Sequence, residues 1–289
     1  MDELTARGRP VHGPTQPGSA TPCRRTTPLA TAERARVVEL IAGGRSGRHR
    51  VTLPPELWTR DWASVTQVTL DLIDRLGWEP AGWKVGAASE EVRRAEGMPD
   101  ASPGRIFRSG VFTGPASLPP EHFINYRNVE CELAFRLARG LPSRDAPYRE
   151  EEVAETIECL LPALEIGDTV FDDWYSAGSY LGVVLDNGGG AALVCGEPVV
   201  DWRALDLPGL HIEISLEGRS INEGYGRAAM GHPLTSLTWL ANWLSLRGRG
   251  LEAGEIVSTG TCTGHCFCAR GDEVSVDFGP LGIVTARFE

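Results

Sequence analysis

Apolar positions follow a helical rhythm early in the chain and a strand-like one later. From Thr31, apolar residues recur near helical spacing at Ala32, Ala35, Val37, Val38, Leu40 and Ile41, and Gly43-Gly44 predict the end of that helix. A second helix is predicted from about Asp61, with Trp62, Val65, Val68, Leu70, Leu72, Ile73 and Leu76 on its apolar face and Gly77 as its stop. Beyond residue 80 short apolar runs alternate with turns. Strands are predicted at 82–86, 129–137, 161–166, 181–184, 191–194, 211–216, 255–258, 273–278 and 282–288. Tyr148 to Leu160 reads as acidic and helical, and Pro233 to Leu246 as the last long helix. Strands are not interleaved regularly with helices, so a doubly wound parallel sheet is not expected. The pattern predicts an α+β fold: a helical part over about 31–80 and a mixed β core over about 81–289, in one domain. Residues 1–30, rich in Gly, Pro, Thr and Arg without apolar periodicity, read as a disordered or loosely attached tail.

Composition narrows the partners. The net charge of −11 repels phosphate backbones, and no basic stripe is interleaved with aromatics, so nucleic acid is not an expected partner. No apolar run is long enough to span a bilayer and the N-terminus carries no apolar signal core, so no membrane or secretory route is expected. Seven cysteines, an odd number in a chain of 289, favour reduced thiols and a cytoplasmic location over a disulfide framework. Of the 28 basic residues only one, Lys84, is lysine. Arginine keeps its proton near neutral pH whereas a buried lysine releases it, so Lys84 is a candidate for proton chemistry.

Phosphate-binding loops, nucleophile elbows and dinucleotide fingerprints are absent from the sequence. The carboxylates are more informative. Glu130 and Glu132 sit two apart in a predicted strand and share one face. Glu165 lies within the apolar run Leu161-Pro162-Ala163-Leu164-Glu165-Ile166. Clustered carboxylates repel unless a proton or cation lies between them, and three of them suit a hard divalent ion. On spacing alone, two surface glutamates plus one buried Glu bonded to Arg remain the competing reading. Cys262, His265, Cys266 and Cys268 form a C-x-x-H-C-x-C cluster, too tightly spaced for a normal four-ligand zinc site, and read as free thiols. His232 before Pro233 reads as a helix-entry hydrogen-bonding residue, and Trp83 and Trp174 as packing residues.

An ordered set of short matches goes further. Gly82-Trp83-Lys84-Val85-Gly86, Glu130-Cys131-Glu132-Leu133-Ala134-Phe135, Leu161 to Ile166, Asp173-Trp174, Asp186-Asn187, Gly231-His232-Pro233-Leu234, Trp239-Leu240-Ala241-Asn242, Ala253-Gly254-Glu255-Ile256 and Ser258-Thr259-Gly260-Thr261 follow one another. In this order they resemble the fumarylacetoacetate hydrolase superfamily, in its 2-keto-4-pentenoate hydratase and 2-oxo-3-hexenedioate decarboxylase branch. The resemblance implies a fumarylacetoacetate hydrolase-like mixed β-roll. It also implies that Glu130, Glu132 and Glu165 ligate Mg²⁺ or Mn²⁺, with Lys84 beside them as the proton-transfer residue. Gly260 and Thr261 would lie on the loop that holds the substrate carboxylate.

Two stretches depart from that pattern. Where the branch carries an acidic loop, the chain reads Gly97-Met98-Pro99-Asp100, making Asp100 the nearest candidate acid. After Asp186-Asn187 the chain has Gly188-Gly189-Gly190 in place of small hydroxyl residues, which predicts added room. Arg105 and Arg108 are candidates for a second substrate carboxylate. The activity implied is a metal-dependent lyase acting on a 2-oxo acid or its dienol. Hydration of a 2-hydroxy-2,4-dienoate to a 4-hydroxy-2-oxo acid stands first, ahead of decarboxylation of a 2-oxo-3-enedioate and C–C hydrolysis of an acylpyruvate. A small-molecule 2-oxo acid and further copies of the chain, as a homo-oligomer, are the expected partners. A non-catalytic partner subunit would not be expected to retain Lys84 and all three glutamates.

Overall fold

The computed structural model describes residues 25–171 and 180–289. Cys23, Asp173 and Trp174 therefore lie outside the described residues, as does most of the expected tail. Residues 25–30 do not fit that tail. The Arg25 guanidinium bonds Glu33 at 2.8 Å and the Glu56 carbonyl at 2.9 Å, while Leu29 is buried and its N–H donates to Ser64 Oγ at 2.9 Å.

Helix α1 (Thr31–Gly47) and helix α2 (Trp62–Leu76) pack together with the later helix α5 (Leu181–Leu185) around Val37, Ile41, Val65, Val68 and Leu72. α2 begins and ends where its signals predict: the Asp61 carboxylate accepts from Ser64 N, and Gly77 takes a left-handed conformation that only glycine adopts freely. α1 runs through Gly43-Gly44. A Cβ at Gly44 would fall 2.6 Å from Val51 Cγ2, so this glycine permits close packing and does not stop the helix. α5 corrects the strand predicted at 181–184, because a short, wholly apolar run carries no period.

The rest is sheet. After β1 (Pro80–Gly86) and the short helix α3 (Glu90–Glu96) come β2 (Ser102–Phe107), β3 (Val111–Thr113), β4 (Ala116–Leu118) and β5 (Asn128–Leu137). The helix expected over 148–160 is only α4 (Glu150–Ala154), and β6 (Ile157–Gly167) begins four residues before the predicted strand. Then follow β7 (Gly190–Cys195), β8 (His211–Leu216), β9 (Arg219–Tyr225), α6 (Pro233–Ser245), β10 (Ile256–Ser258), β11 (Cys266–Phe267), β12 (Glu273–Asp277) and β13 (Ile283–Phe288). One sheet has the order β2-β1-β10-β5-β6-β7-β3, with β11 added to β5, and the other the order β4-β13-β12-β8-β9. β2 also approaches β7, so the larger sheet curls until its distant members face each other across an interior. This is the mixed β-roll with N-terminal helices.

A buried ion pair ties the helical part to the roll. Arg45 of α1 donates to Asp186 Oδ1 at 2.7 Å and to the Asp168 and Gly190 carbonyls, and Asp186 also accepts from Thr169 Oγ1 and Val170 N. Their side chains are 8% and 0% exposed. Asp186→Ala would strand the guanidinium, and urea unfolding should show a loss of about 3–5 kcal/mol. A loss within ordinary surface-mutation scatter would mean that the pair fastens nothing.

Candidate active site

Strand geometry assembles the site. Glu130 and Glu132 project from one face of β5, and Glu130 stands directly opposite Glu165 of β6 in the antiparallel register. Lys84 reaches them from β1, on the other side of β10, and can do so only because the sheet is curled. Its Nζ donates to Glu165 Oε1 and, at 2.7 Å, to the Gly188 carbonyl. One carboxylate oxygen from each of the three glutamates lies within 4.8 Å of the others.

Three glycines surround the lysine stem. A Cβ at Gly104 would sit 2.8 Å from Lys84 Cγ, one at Gly188 3.1 Å from Cε and one at Gly190 3.5 Å from Cδ. The room predicted at 188–190 is therefore taken up by Lys84 itself. Asn187 fixes this run by pairing with both backbone groups of Arg105 on β2.

Burial of these charges shifts each of them. The Glu132 carboxyl is pushed well above the ordinary range by desolvation and by Glu165 and Glu130, against Ser258 and Gly260, which donate to its Oε2 at 2.5 and 2.8 Å. Glu165 is also raised by burial, with Lys84 offsetting part of the effect. Glu130 is held low despite burial, because His265, Lys84 and Asn128 favour its charged form. Burial would depress Lys84, but the three carboxylates outweigh it and hold the ammonium above its usual value. A bound cation's charge would oppose the carboxylates' pull and favour release of that proton. When all three carboxylates are ionised they outnumber the Lys84 ammonium and the His265 imidazolium, leaving net negative charge that a divalent ion would offset. Glu165 Oε2 is buried without a hydrogen-bond partner. An orphaned hard oxygen beside two more carboxylates fits Mg²⁺ or Mn²⁺.

The surrounding cavity is walled by Tyr126, Asn128, Tyr180, His265 and Phe267 as well as Lys84, Glu130 and Glu165. Burial keeps the Tyr126 and Tyr180 phenols protonated well beyond their ordinary range. His265 Nδ1 lies 2.7 Å from Glu130 Oε1 and 2.8 Å from Asn128 Nδ2. Burial opposes its charge, yet Glu130 raises it overall. Sequence reasoning missed Asn128, although it is two residues before Glu130 and shares its face by the same alternation. It saw His265 only as part of the cysteine cluster.

The predicted residues divide. Lys84, Glu130, Glu132, Glu165 and Gly260 come together. Thr261 lies one residue beyond, with its hydroxyl in a turn to Gly264. Asp100 does not line the cavity, since its Oδ1 accepts from Trp239 Nε1 and from its own neighbour Ala101 N. The Arg105 guanidinium bonds Glu255 at 2.6 Å and stacks over Trp83, on the face of the sheet away from Lys84. Arg108 is half exposed beside Glu79. His232 caps α6 as expected, accepting from Leu234 N. Among the described residues the cysteine cluster contributes to no group of three metal ligands.

The family model described as fumarylacetoacetate (FAA) hydrolase, C-terminal, matches residues 87–289. The 2-keto-4-pentenoate hydratase of Paraburkholderia xenovorans (strain LB400) is 28% identical over 235 residues, spanning 81% of this chain and 86% of that protein. The 2-hydroxyhexa-2,4-dienoate hydratase of Comamonas testosteroni is 28% identical over 255 residues, spanning 88% and 95%. Among solved structures, 4-oxalocrotonate decarboxylase from Pseudomonas putida G7, complexed with magnesium and adipate, superposes with a TM-score of 0.79 at 23% identity, covering 92% of this chain and all of that one. With the match spanning most of the β core and the roll shared, the chain belongs to the fumarylacetoacetate hydrolase family.

Proposed function

We propose that the protein is a divalent-metal-dependent hydro-lyase that adds water to a 2-hydroxy-2,4-dienoate, giving a 4-hydroxy-2-oxo acid. The observation that carries this reading is the buried set Glu130, Glu132 and Glu165 with Lys84 donating into it. The similarity to hydratases over most of the chain supports it. Glu130, Glu132 and Glu165 would hold Mg²⁺ or Mn²⁺. When bound, such an ion supplies a Lewis acid for the C2 oxygen and carboxylate of a 2-oxo acid.

The chain's own residues do the rest. Lys84 holds a proton at Nζ, aimed by Glu165 and the Gly188 carbonyl, and delivers it to the dienol carbon skeleton. Gly260 N–H and Ser258 fix Glu132, while Thr261 and the Gly260 backbone border the place for the substrate carboxylate. The neutral Tyr126 and Tyr180 phenols donate without adding charge, and the apolar Phe267 and Val183 help exclude bulk water.

The walls argue against a dicarboxylic substrate. Among the described residues the lining cations are Lys84 and His265, each already facing a carboxylate, and Arg105 is held on the other face. Decarboxylation of an enedioate therefore has, among the described residues, no free cation in this cavity as its second anchor. We further propose a cytoplasmic location, with which six free cysteines among the described residues are consistent, and a homo-oligomeric state.

The test is the ultraviolet absorbance of freshly generated 2-hydroxypenta-2,4-dienoate. Its decay should require Mg²⁺ or Mn²⁺ and stop on chelation. A metal-loaded protein that leaves the absorbance unchanged would exclude this activity, and release of CO₂ from a 2-oxo-3-enedioate would replace it with decarboxylation.

A further inference from the structure

The cysteine cluster that forms no metal site has a geometry of its own. Cys266 and Cys268 are two apart on an extended segment paired to β5: Cys266 stands opposite Val129, and Cys268 N donates to the Arg127 carbonyl at 2.8 Å. Side chains alternate, so Cys266 and Cys268 face the hydrophobic core while His265 and Phe267 face the active-site cavity. The two sulfurs are 3.7 Å apart. We propose that Cys266 and Cys268 are an oxidative modification site, closing to a reversible disulfide that disturbs the metal site through His265 and Phe267.

Local chemistry singles out this pair. The neighbouring Cys268 thiol favours the Cys266 thiolate, whereas burial pushes the Cys131, Cys195 and Cys262 thiols up. With a peroxide as oxidant, the Cys266 thiolate attacks one oxygen, breaking the O–O bond to give a sulfenic acid and releasing water after proton uptake. The Cys268 sulfur then attacks the sulfenic sulfur, losing its own proton and expelling the hydroxyl as a second water. The two thiols give up two electrons and two protons, and the peroxide takes them.

Geometry makes the bond feasible but tense. Residues two apart in a strand are about 6.6 Å apart at Cα, near the long limit for a disulfide, and the sulfurs must close to about 2.05 Å. A tense disulfide is readily reduced by small thiols. Contraction on the core face pulls on the backbone between the two cysteines. That backbone carries Phe267, whose ring meets Tyr126 at 5.7 Å, and follows His265, which touches Glu130. Groups that orient metal ligands are worth about 10–100-fold in metal affinity.

The effect on the metal rests on the proposed glutamate site, whereas the disulfide does not, so the two are measured separately. The full-length protein is treated with hydrogen peroxide and digested without reductant. The peptide holding Cys266 and Cys268 should lose two hydrogens, regained with dithiothreitol, and should not do so in Cys268→Ser or Cys266→Ala. Mn²⁺ titration should then show about tenfold weaker binding after oxidation, in the wild type only and reversed by the thiol. Peroxide that leaves this peptide unchanged, or that joins Cys159 to Cys195 instead, overturns the proposal. A disulfide that forms while Mn²⁺ affinity is unchanged overturns the coupling. Absence of Mn²⁺ binding in the reduced protein counts against the metal reading, and the peptide mass still decides the disulfide.

Discussion

Lys84→Met should reduce turnover of the dienoate by at least about 100-fold, the lower range for a lost general acid–base, while leaving Mn²⁺ binding in place. Methionine keeps an unbranched stem among Gly104, Gly188 and Gly190 but removes the ammonium that points at Glu165. The three carboxylates then lose their covalently held counter-charge, so the ion should bind at least as tightly as in the wild type. Calorimetric Mn²⁺ titration alongside the absorbance assay separates the two effects. If turnover survives, Lys84 is a structural counter-ion and the proton comes from elsewhere. If Mn²⁺ binding is lost together with turnover, the lysine is holding the carboxylates in place.

Glu132→Gln should produce opposite effects in the presence and absence of metal. Its Oε2 accepts from both Ser258 and Gly260, and one amide oxygen can accept the same two bonds. Without metal, the variant should be more stable than the wild type near neutral pH, because a buried carboxyl crowded by Glu130 and Glu165 has become neutral. With metal, the wild type should gain about 2.7 kcal/mol at a hundredfold excess over its Kd, and the variant little. Activity should be lost.

The pH dependence follows from the sign of the shift. Glu132 and Glu165 titrate higher in the folded protein than in the unfolded chain. The folded state therefore retains protons that the unfolded state has released once pH passes the ordinary carboxylate range. Metal-free stability should then fall as pH rises above that range, until the folded groups ionise too. Glu130, held low, contributes in the other direction only at more acid pH. Bound metal displaces those protons, so its stabilisation should grow with pH. Thermal melts of both proteins, with and without Mn²⁺, across pH 5–8 check all of this, and equal melting temperatures for the two metal-free proteins would remove the charge-crowding argument.

Much of this site was legible because strand alternation is a local rule. Glu130 and Glu132 share a face by spacing alone, and the same rule applied one step earlier reaches Asn128. The contact between Lys84 and Glu165 had no such signal, since it depends on a sheet curling until β1 and β6 face each other. His265 lies more than a hundred residues from Glu130 in sequence, and its neighbours drew it into a cysteine motif. Asp100, Arg105 and Arg108 were placed by adjacency to a loop, but β2 turns the Arg105 side chain outward to Glu255 and Trp239 engages Asp100. Errors in the fold have similar causes. Gly43-Gly44 resembles a stop until Val51 is seen packed on Gly44, and 181–184 is too short and too uniformly apolar to reveal its period.

The glycines around Lys84 also act on the chain's composition. A sequence that otherwise fills every cationic position with arginine meets, at residue 84, a channel of alkyl width closed on three sides by backbone. A planar guanidinium cannot pass where Gly104 and Gly188 stand against the methylenes, so replacement by arginine would require the surrounding strands to part. At this position the neighbours' lack of side chains suits an unbranched lysine stem, so the residue's fit depends on them as much as on its own charge.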